Sequence, residues 1–278
     1  MKTSLIAVLT GAVLALSVNQ AAAEDPKVLY VTHEPGTYHK YTPQMAVFKE
    51  IGEKAGWDVT FMTGEHEAQI EKLRAPDYAK GYDAVVYNFC FAKSTDLDAA
   101  SNLMDQTRVN GVPAMLIHCS MHSWWPTYKT GGKDYSKGAQ PDPLVASKWK
   151  KANPDKPLPI WGDFTGVASV RHGKKLPIAL SRSGDHAVTA GLPEGFSTPN
   201  TELYNNIYVG DDVVPLVTGA QEGEKDAIVM WTVPRGKSRL IGLTWGHDVA
   251  DWTTKPFQSL VTDGVNDLIA KPGADGAE

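Results

Sequence analysis

Pro113-Ala114-Met115-Leu116-Ile117-His118-Cys119-Ser120-Met121-His122 is the stretch on which the fold turns. Five apolar residues run without a break and then give way to polar, titratable ones. A short continuous apolar run suits a strand covered on both faces, because neither side meets water. Upstream the pattern recurs. Lys27 to Thr32 and Tyr82 to Phe89 read as buried strands, and Trp57 to Thr63 as a more alternating one. Between them lie helical segments. Pro43 to Ala55 carries Met45, Val47, Phe48 and Ile51 and is stopped by Gly56; His66 to Arg74 is short; Thr95 to Asn110 ends at Asn110-Gly111. Strands alternating with helices predict an α/β fold with a doubly wound, mostly parallel sheet.

Downstream the rhythm breaks. Residues from about 120 to 160 hold Trp124, Trp125, Trp149 and Gly131-Gly132 and form a Trp-rich insertion. An irregular stretch of that length in a compact domain is usually functional or mobile. From Phe164 the segments turn short and β-like: Gly166 to Arg171, Leu176 to Leu180, Val213 to Thr218, Ile228 to Val233 and Arg239 to Thr244. A last helix is expected from about Pro256 to Ile269.

The N-terminus reads as a cleavable signal peptide over residues 1–23: Lys2, an apolar Leu5 to Leu16, then Ala21-Ala22-Ala23. The apolar run is too short to span a bilayer. The expected location is the periplasm or the medium, with no membrane association after cleavage. Removing 23 of 278 residues leaves 255, enough for a single α/β domain over 24–278. Removing Lys2 takes the net charge from −5 to −6. With no basic block beyond Lys148-Trp149-Lys150-Lys151, which reads as a solvated helix face, nucleic acid is excluded as a partner. Cys90 and Cys119 both end apolar runs. In an oxidising compartment such a pair is more often a disulfide than a redox or metal site.

Ligands of open α/β sheets bind outside the carboxyl ends of the strands. Five of the eight histidines fall just past predicted strands: His33 and His39 after the first, His118 and His122 after the fourth, His247 after the last. His172 follows another strand-like run. One such histidine would be an ordinary loop residue, but several at one edge predict an active or metal site. Three imidazoles with a carboxylate would suit zinc or a similar divalent ion, and His33, His118 and His247 are the expected set. No HExxH or CxxC spacing supports a metal, so the cofactor stays open.

The 113–122 stretch also approaches the nucleophile elbow of glutamine amidotransferases, an apolar strand ending in Cys on a Gly-flanked turn. Here His118 holds the elbow position, Cys119 comes one residue late, and Ser120 and Met121 are not glycines. Cysteine nucleophile chemistry is disfavoured.

Several segments together resemble the ThuA-like (trehalose utilisation) family, a branch of the flavodoxin-like, class I glutamine amidotransferase-like fold without the catalytic Cys. They are Val31-Thr32-His33 with His39; Ile117-His118; Phe164-Thr165-Gly166 leading to His172; His186-Ala187-Val188-Thr189-Ala190-Gly191-Leu192-Pro193; Thr201-Glu202-Leu203-Tyr204; and Arg239-Leu240-Ile241-Gly242-Leu243 leading to Gly246-His247. The Trp-rich insertion departs from that pattern. The resemblance implies carbohydrate metabolism on a sugar or keto-sugar. It raises Glu202 from a surface carboxylate to a general base or ligand and marks His186 as a structural landmark.

The expected catalytic set is His118, Glu202, His247 and Asp248, the last either orienting His247 or capping a turn. His39, His122, His172 and Tyr204 are expected to bind substrate, Tyr204 competing with a role as a core aromatic. Trp124 and Trp125 would stack on sugar rings or bury the insertion. His66 is expected to be solvent-exposed. Two functions compete: a sugar enzyme working by His/Glu proton transfer, metal-assisted or not, and a non-catalytic periplasmic carbohydrate-binding protein. The crowding of titratable histidines favours the enzyme.

Overall fold

A computed structural model describes residues 24–128 and 141–273; the signal-peptide expectation and part of the insertion lie outside them. Among the described residues there are ten strands. β1 (Lys27–Val31), β2 (Asp58–Met62), β3 (Ala84–Tyr87) and β4 (Ala114–Ile117) fill the first half. β5 (Val167–Ala168), β6 (Ala179–Arg182), β7 (Tyr208–Val209), β8 (Val214–Ala220), β9 (Ala227–Arg235) and β10 (Ser238–Leu243) follow. The helices are α1 (Tyr41–Ala55), α2 (His66–Leu73), α3 (Leu97–Arg108), α4 (Pro143–Ala152), α5 (Trp161–Thr165), α6 (Val249–Trp252) and α7 (Lys255–Ala270).

Eight strands form one sheet in the order β2-β1-β3-β4-β10-β9-β8-β6. The first five are mutually parallel, and β9, β8 and β6 add an antiparallel flank. Alternation along each strand divides the core in two. Leu29, Val31, Val85, Tyr87 and Leu116 face Leu73, Leu103 and Met104 of α2 and α3. Val28, Tyr30, Met115, Ile117 and Leu243 face Phe48 and Ile51 of α1 and Leu260 and Val261 of α7. Burial on both faces explains why the parallel strands read as unbroken apolar runs. Gly242 has a steric reason: a Cβ there would lie 2.3 Å from the buried Trp231 ring.

The first half follows the expectation closely, Gly56 included, which caps α1 in the left-handed conformation at φ 73°. The second half differs. Of the expected strand from Gly166 to Arg171 only Val167–Ala168 pairs, and it pairs with Tyr208–Val209 outside the main sheet. The expected strand at Leu176 to Leu180 starts later, at Ala179, because Leu176 is bridged instead to Thr201. Within the insertion, α4 buries Trp149 and leaves Lys148, Lys150 and Lys151 to solvent.

Candidate active site

The parallel strands β1, β3, β4 and β10 are neighbours, so the loops after them share one edge. That edge opens into a cavity of about 480 Å³, lined among others by His39, His122, Trp125, His172, Glu202 and His247.

His118 is the pivot. It leaves β4 in the left-handed region, φ 48°, a conformation a β-carbon disfavours. The flanking residues lack the glycines of an elbow, yet the backbone turns sharply with His118 at the tip. Leu243 pairs with Ile117, bringing the end of β10 alongside. The His118 Nδ1–H therefore donates to the Thr244 carbonyl at 2.6 Å. A carbonyl only accepts, so in the neutral ring Nε2 carries the lone pair. It lies 3.1 Å from His247 Nδ1, 3.2 Å from the Tyr204 hydroxyl and 3.6 Å from Glu202 Oε2. Burial first, then the neighbouring His39 and His247, hold His118 well below the ordinary imidazole value.

His247 Nδ1 is also 3.1 Å from Glu202 Oε2. Both neighbours of that nitrogen are acceptors, so it carries the proton and leaves Nε2 bare in the neutral ring. Asp248 Oδ1 is 3.8 Å from Nε2, and its other oxygen pairs with Lys175 at 3.2 Å. Glu202 is 8% exposed. Burial pushes its carboxyl up, but the His247 hydrogen bond and the surrounding imidazoles outweigh that and hold it below the usual range.

Three buried polar residues outside the histidine set fix this geometry. Gln44 of α1 donates to the His247 carbonyl at 3.0 Å, and Asn88 donates to Gln44 Oε1 at 2.8 Å. Buried Asp251 accepts from Thr201 Oγ1 at 2.9 Å and from the Asp248 amide at 3.1 Å. It thereby ties the Glu202 segment to the capping box that follows His247. The Asp248-x-x-Asp251 spacing was the one sequence signal for it. Gly246, at φ 128°, makes the turn into His247 with Phe257 packed against it.

The other candidates divide. His39 joins the cluster, its ring centroid 4.8 Å from His118 and 4.6 Å from His247. Tyr204 is buried, stacks on His122 at 3.9 Å and turns its hydroxyl to His118. His122 reaches Ser169 at 2.8 Å. His172 sits at the rim, 3.6 Å from Glu202 Oε1. His33 does not join them. It is buried against Phe91, Tyr41 and His66, and accepts from the Cys90 amide at 3.3 Å. His66, expected to be free in solvent, packs on Phe91 and bonds Glu67. His186 Nδ1 accepts from the Val188 amide, a local structural role. Cys90 and Cys119 form a disulfide at the cavity wall. Tyr38, 54% exposed at the mouth, had no signal in the sequence.

The two tryptophans part company. Trp124 is fully buried between Phe91 and Trp161, and its indole N–H donates to the Asp96 carbonyl, so it cannot stack on a ligand. Trp125 lines the cavity. Trp124→Ala is therefore expected to lose about 3–5 kcal/mol of stability. Trp125→Ala, at the cavity wall, should shift the unfolding midpoint much less. Thermal unfolding separates the two.

His33 gives a second expectation. Burial, reinforced by the His66 ring, lowers its pKa to about 4. Unfolded, it titrates near 6.5, so the folded chain binds fewer protons between those values. Stability contributed above pH 6.5 is thus lost as pH falls toward 4, by on the order of 3 kcal/mol. Urea unfolding at pH 7 and pH 4.5 should show His33→Gln losing less stability on acidification than the wild type.

Comparison with known proteins agrees with this architecture. Residues 27–266 match the family ThuA, described as trehalose utilisation. A ThuA-like protein from Parabacteroides merdae ATCC 43184 superposes with a TM-score of 0.63 at 19% identity, covering 91% of each chain. One from Bacteroides uniformis ATCC 8492 gives 0.61 at 15% identity, covering 90% of this chain and 93% of its own. Among curated proteins nothing matches.

Proposed function

The chain belongs to the ThuA family, which points to carbohydrate metabolism, and from that premise we propose that it is an exported enzyme acting on a sugar or keto-sugar by proton transfer. The observation that carries the reading is the buried contact of Glu202 Oε2 with His247 Nδ1 at 3.1 Å, beside His118 Nε2 and the Tyr204 hydroxyl. A keto-sugar suits it, because the carbonyl acidifies the neighbouring C–H. Such chemistry needs a base and a group that stabilises the developing oxyanion.

In this reading Glu202, held as carboxylate, is the base. The Tyr204 hydroxyl, its proton directed to His118 Nε2 in the resting site, turns to the substrate oxygen. His118, kept in one tautomer by Thr244, accepts the Tyr204 hydrogen bond and so holds the hydroxyl beside the cavity, while Glu202 takes the C–H proton and returns it to carbon. His247 supports the charge on Glu202. Trp125 and Tyr38 offer apolar faces to the sugar ring, and Arg171 and Lys175 line the same cavity. Export rests on the residues 1–23 pattern, and the partner is a small carbohydrate.

Isotope exchange tests the reading whatever the product is. The mature protein is incubated in deuterated water with trehalose and a panel of keto-mono- and keto-disaccharides. Proton NMR should show loss of the signal from the C–H next to the carbonyl, or conversion of the sugar. Sugar binding by calorimetry with neither exchange nor conversion across the panel would replace the enzyme by a carbohydrate-binding protein.

A further inference from the structure

We propose that His39, His118 and His247, with the Glu202 carboxylate beside them, form a binding site for one divalent cation of the zinc class. The inference goes beyond the sugar-enzyme reading and does not depend on it.

Three Lewis-basic atoms already converge. His118 Nε2 and His247 Nδ1 are 3.1 Å apart; Glu202 Oε2 is 3.1 Å from the second and 3.6 Å from the first. Ligands at about 2.0–2.1 Å in a tetrahedron stand about 3.3–3.4 Å from one another. The observed separations bracket that edge length. Such close acceptors need a proton or a cation between them. One proton on His247 Nδ1 meets the need in the absence of metal, and a cation would replace it. The fourth group is His39. One ring nitrogen of each of the three histidines falls within 4.8 Å of the others, so a modest rotation of the His39 ring completes the set. His39 is 8% exposed, and its buried Nδ1 has no hydrogen-bond partner, so that nitrogen is available to a ligand.

The surroundings are those of a metal site. His118 donates its far nitrogen to a backbone carbonyl, the arrangement that fixes a ligating imidazole and aims its other nitrogen at an ion. Gln44 clamps the His247 backbone, and Asn88 clamps Gln44. Imidazoles select zinc and its neighbours over magnesium or calcium, which prefer oxygen. The group borders the cavity, so a position stays open for water or substrate. His33, on the far side of Tyr41, takes no part.

The mature protein is stripped with dipicolinate, dialysed and titrated with zinc, and separately with cobalt(II). Elemental analysis should give about one ion per chain, and cobalt should show the intense visible absorption of a tetrahedral site. His39→Ala, in a loop ahead of α1, and His118→Asn should each weaken zinc binding at least about 100-fold, while His33→Gln binds like the wild type. Circular dichroism identifies any variant that fails to fold. Glu202→Gln, which keeps side-chain volume, is then the substitute and should also weaken binding. Less than a stoichiometric ion in the stripped and reloaded wild type overturns the site, as does equal binding by folded His39→Ala. Either result leaves the isotope-exchange test of enzymatic function untouched.

Discussion

Glu202→Gln is expected to lower sugar turnover by about 10²–10⁴-fold, the range a positioned acid or base contributes. The substitution keeps the volume and one acceptor oxygen and removes the negative charge. In the wild type that charge sits against His247 Nδ1 at 3.1 Å and His172 at 3.6 Å, buried enough that water does little to screen it. Gln can still accept from His247, so the fold should survive with a similar unfolding midpoint. What it cannot do is take a proton. His118→Asn should produce a loss of the same order by a different route. It removes the imidazole whose Nε2 holds the Tyr204 hydroxyl by a hydrogen bond, and with it the contact to Thr244. Because both residues serve one transfer, the double variant should be scarcely worse than either alone. The measurement is isotope exchange on whichever keto-sugar the panel identifies, with circular dichroism as control. Additive losses, or a folded Glu202→Gln at wild-type rate, would remove Glu202 from the chemistry.

How much of this was legible in the sequence depends on the residue. β1, β3 and β4 announced themselves because both faces of each are covered, so that the exposed Lys27 at the head of β1 is the one polar residue among them. Convergence of His118 and His247 was expected from their places after strands, and the pairing of β4 with β10 is what produces it. His33 and His39 could not be told apart that way, since both follow β1. His33 comes two residues after the strand and turns to Phe91. His39 comes eight after it, when the loop has returned to His118. Only the loop's path decides, and propensity does not encode it. Glu202 had no local chemical signature and was visible through the family motif. Gln44 and Asn88 were not visible, because a buried polar residue reads as a solvated one until its partners are known, and Asp251 had only the capping-box spacing to Asp248 to mark it. Trp124 and Trp125 are neighbours in sequence with opposite environments. Trp124 takes a left-handed backbone, φ 45°, which sends the two indoles apart.

The second large effect concerns the Cys90–Cys119 disulfide, which joins the end of β3 to the turn after β4. Replacing both cysteines by Ser is expected to cost about 3–4 kcal/mol. The bond closes a loop with a sequence separation of 29, and opening it restores that loop's freedom to the unfolded chain. For a protein of this size the unfolding midpoint should fall by about 7–14 °C. Turnover per folded molecule should nevertheless stay within the same order of magnitude. Cys119 follows His118, yet His118 is held by other means: the Thr244 carbonyl at 2.6 Å, the Tyr204 hydroxyl at 3.2 Å, and the pairing of Ile117 with Leu243. Each of these survives loss of the sulfur bridge. Neither cysteine presents a thiolate, because both sulfurs are held in the disulfide. Calorimetry of the double variant should therefore show a large thermal shift, while the exchange assay, run well below the lowered midpoint, shows little change. A folded double variant without turnover would mean that a sulfur takes part in the chemistry, and the assignment of the reaction to His118, Glu202 and Tyr204 would fall with it.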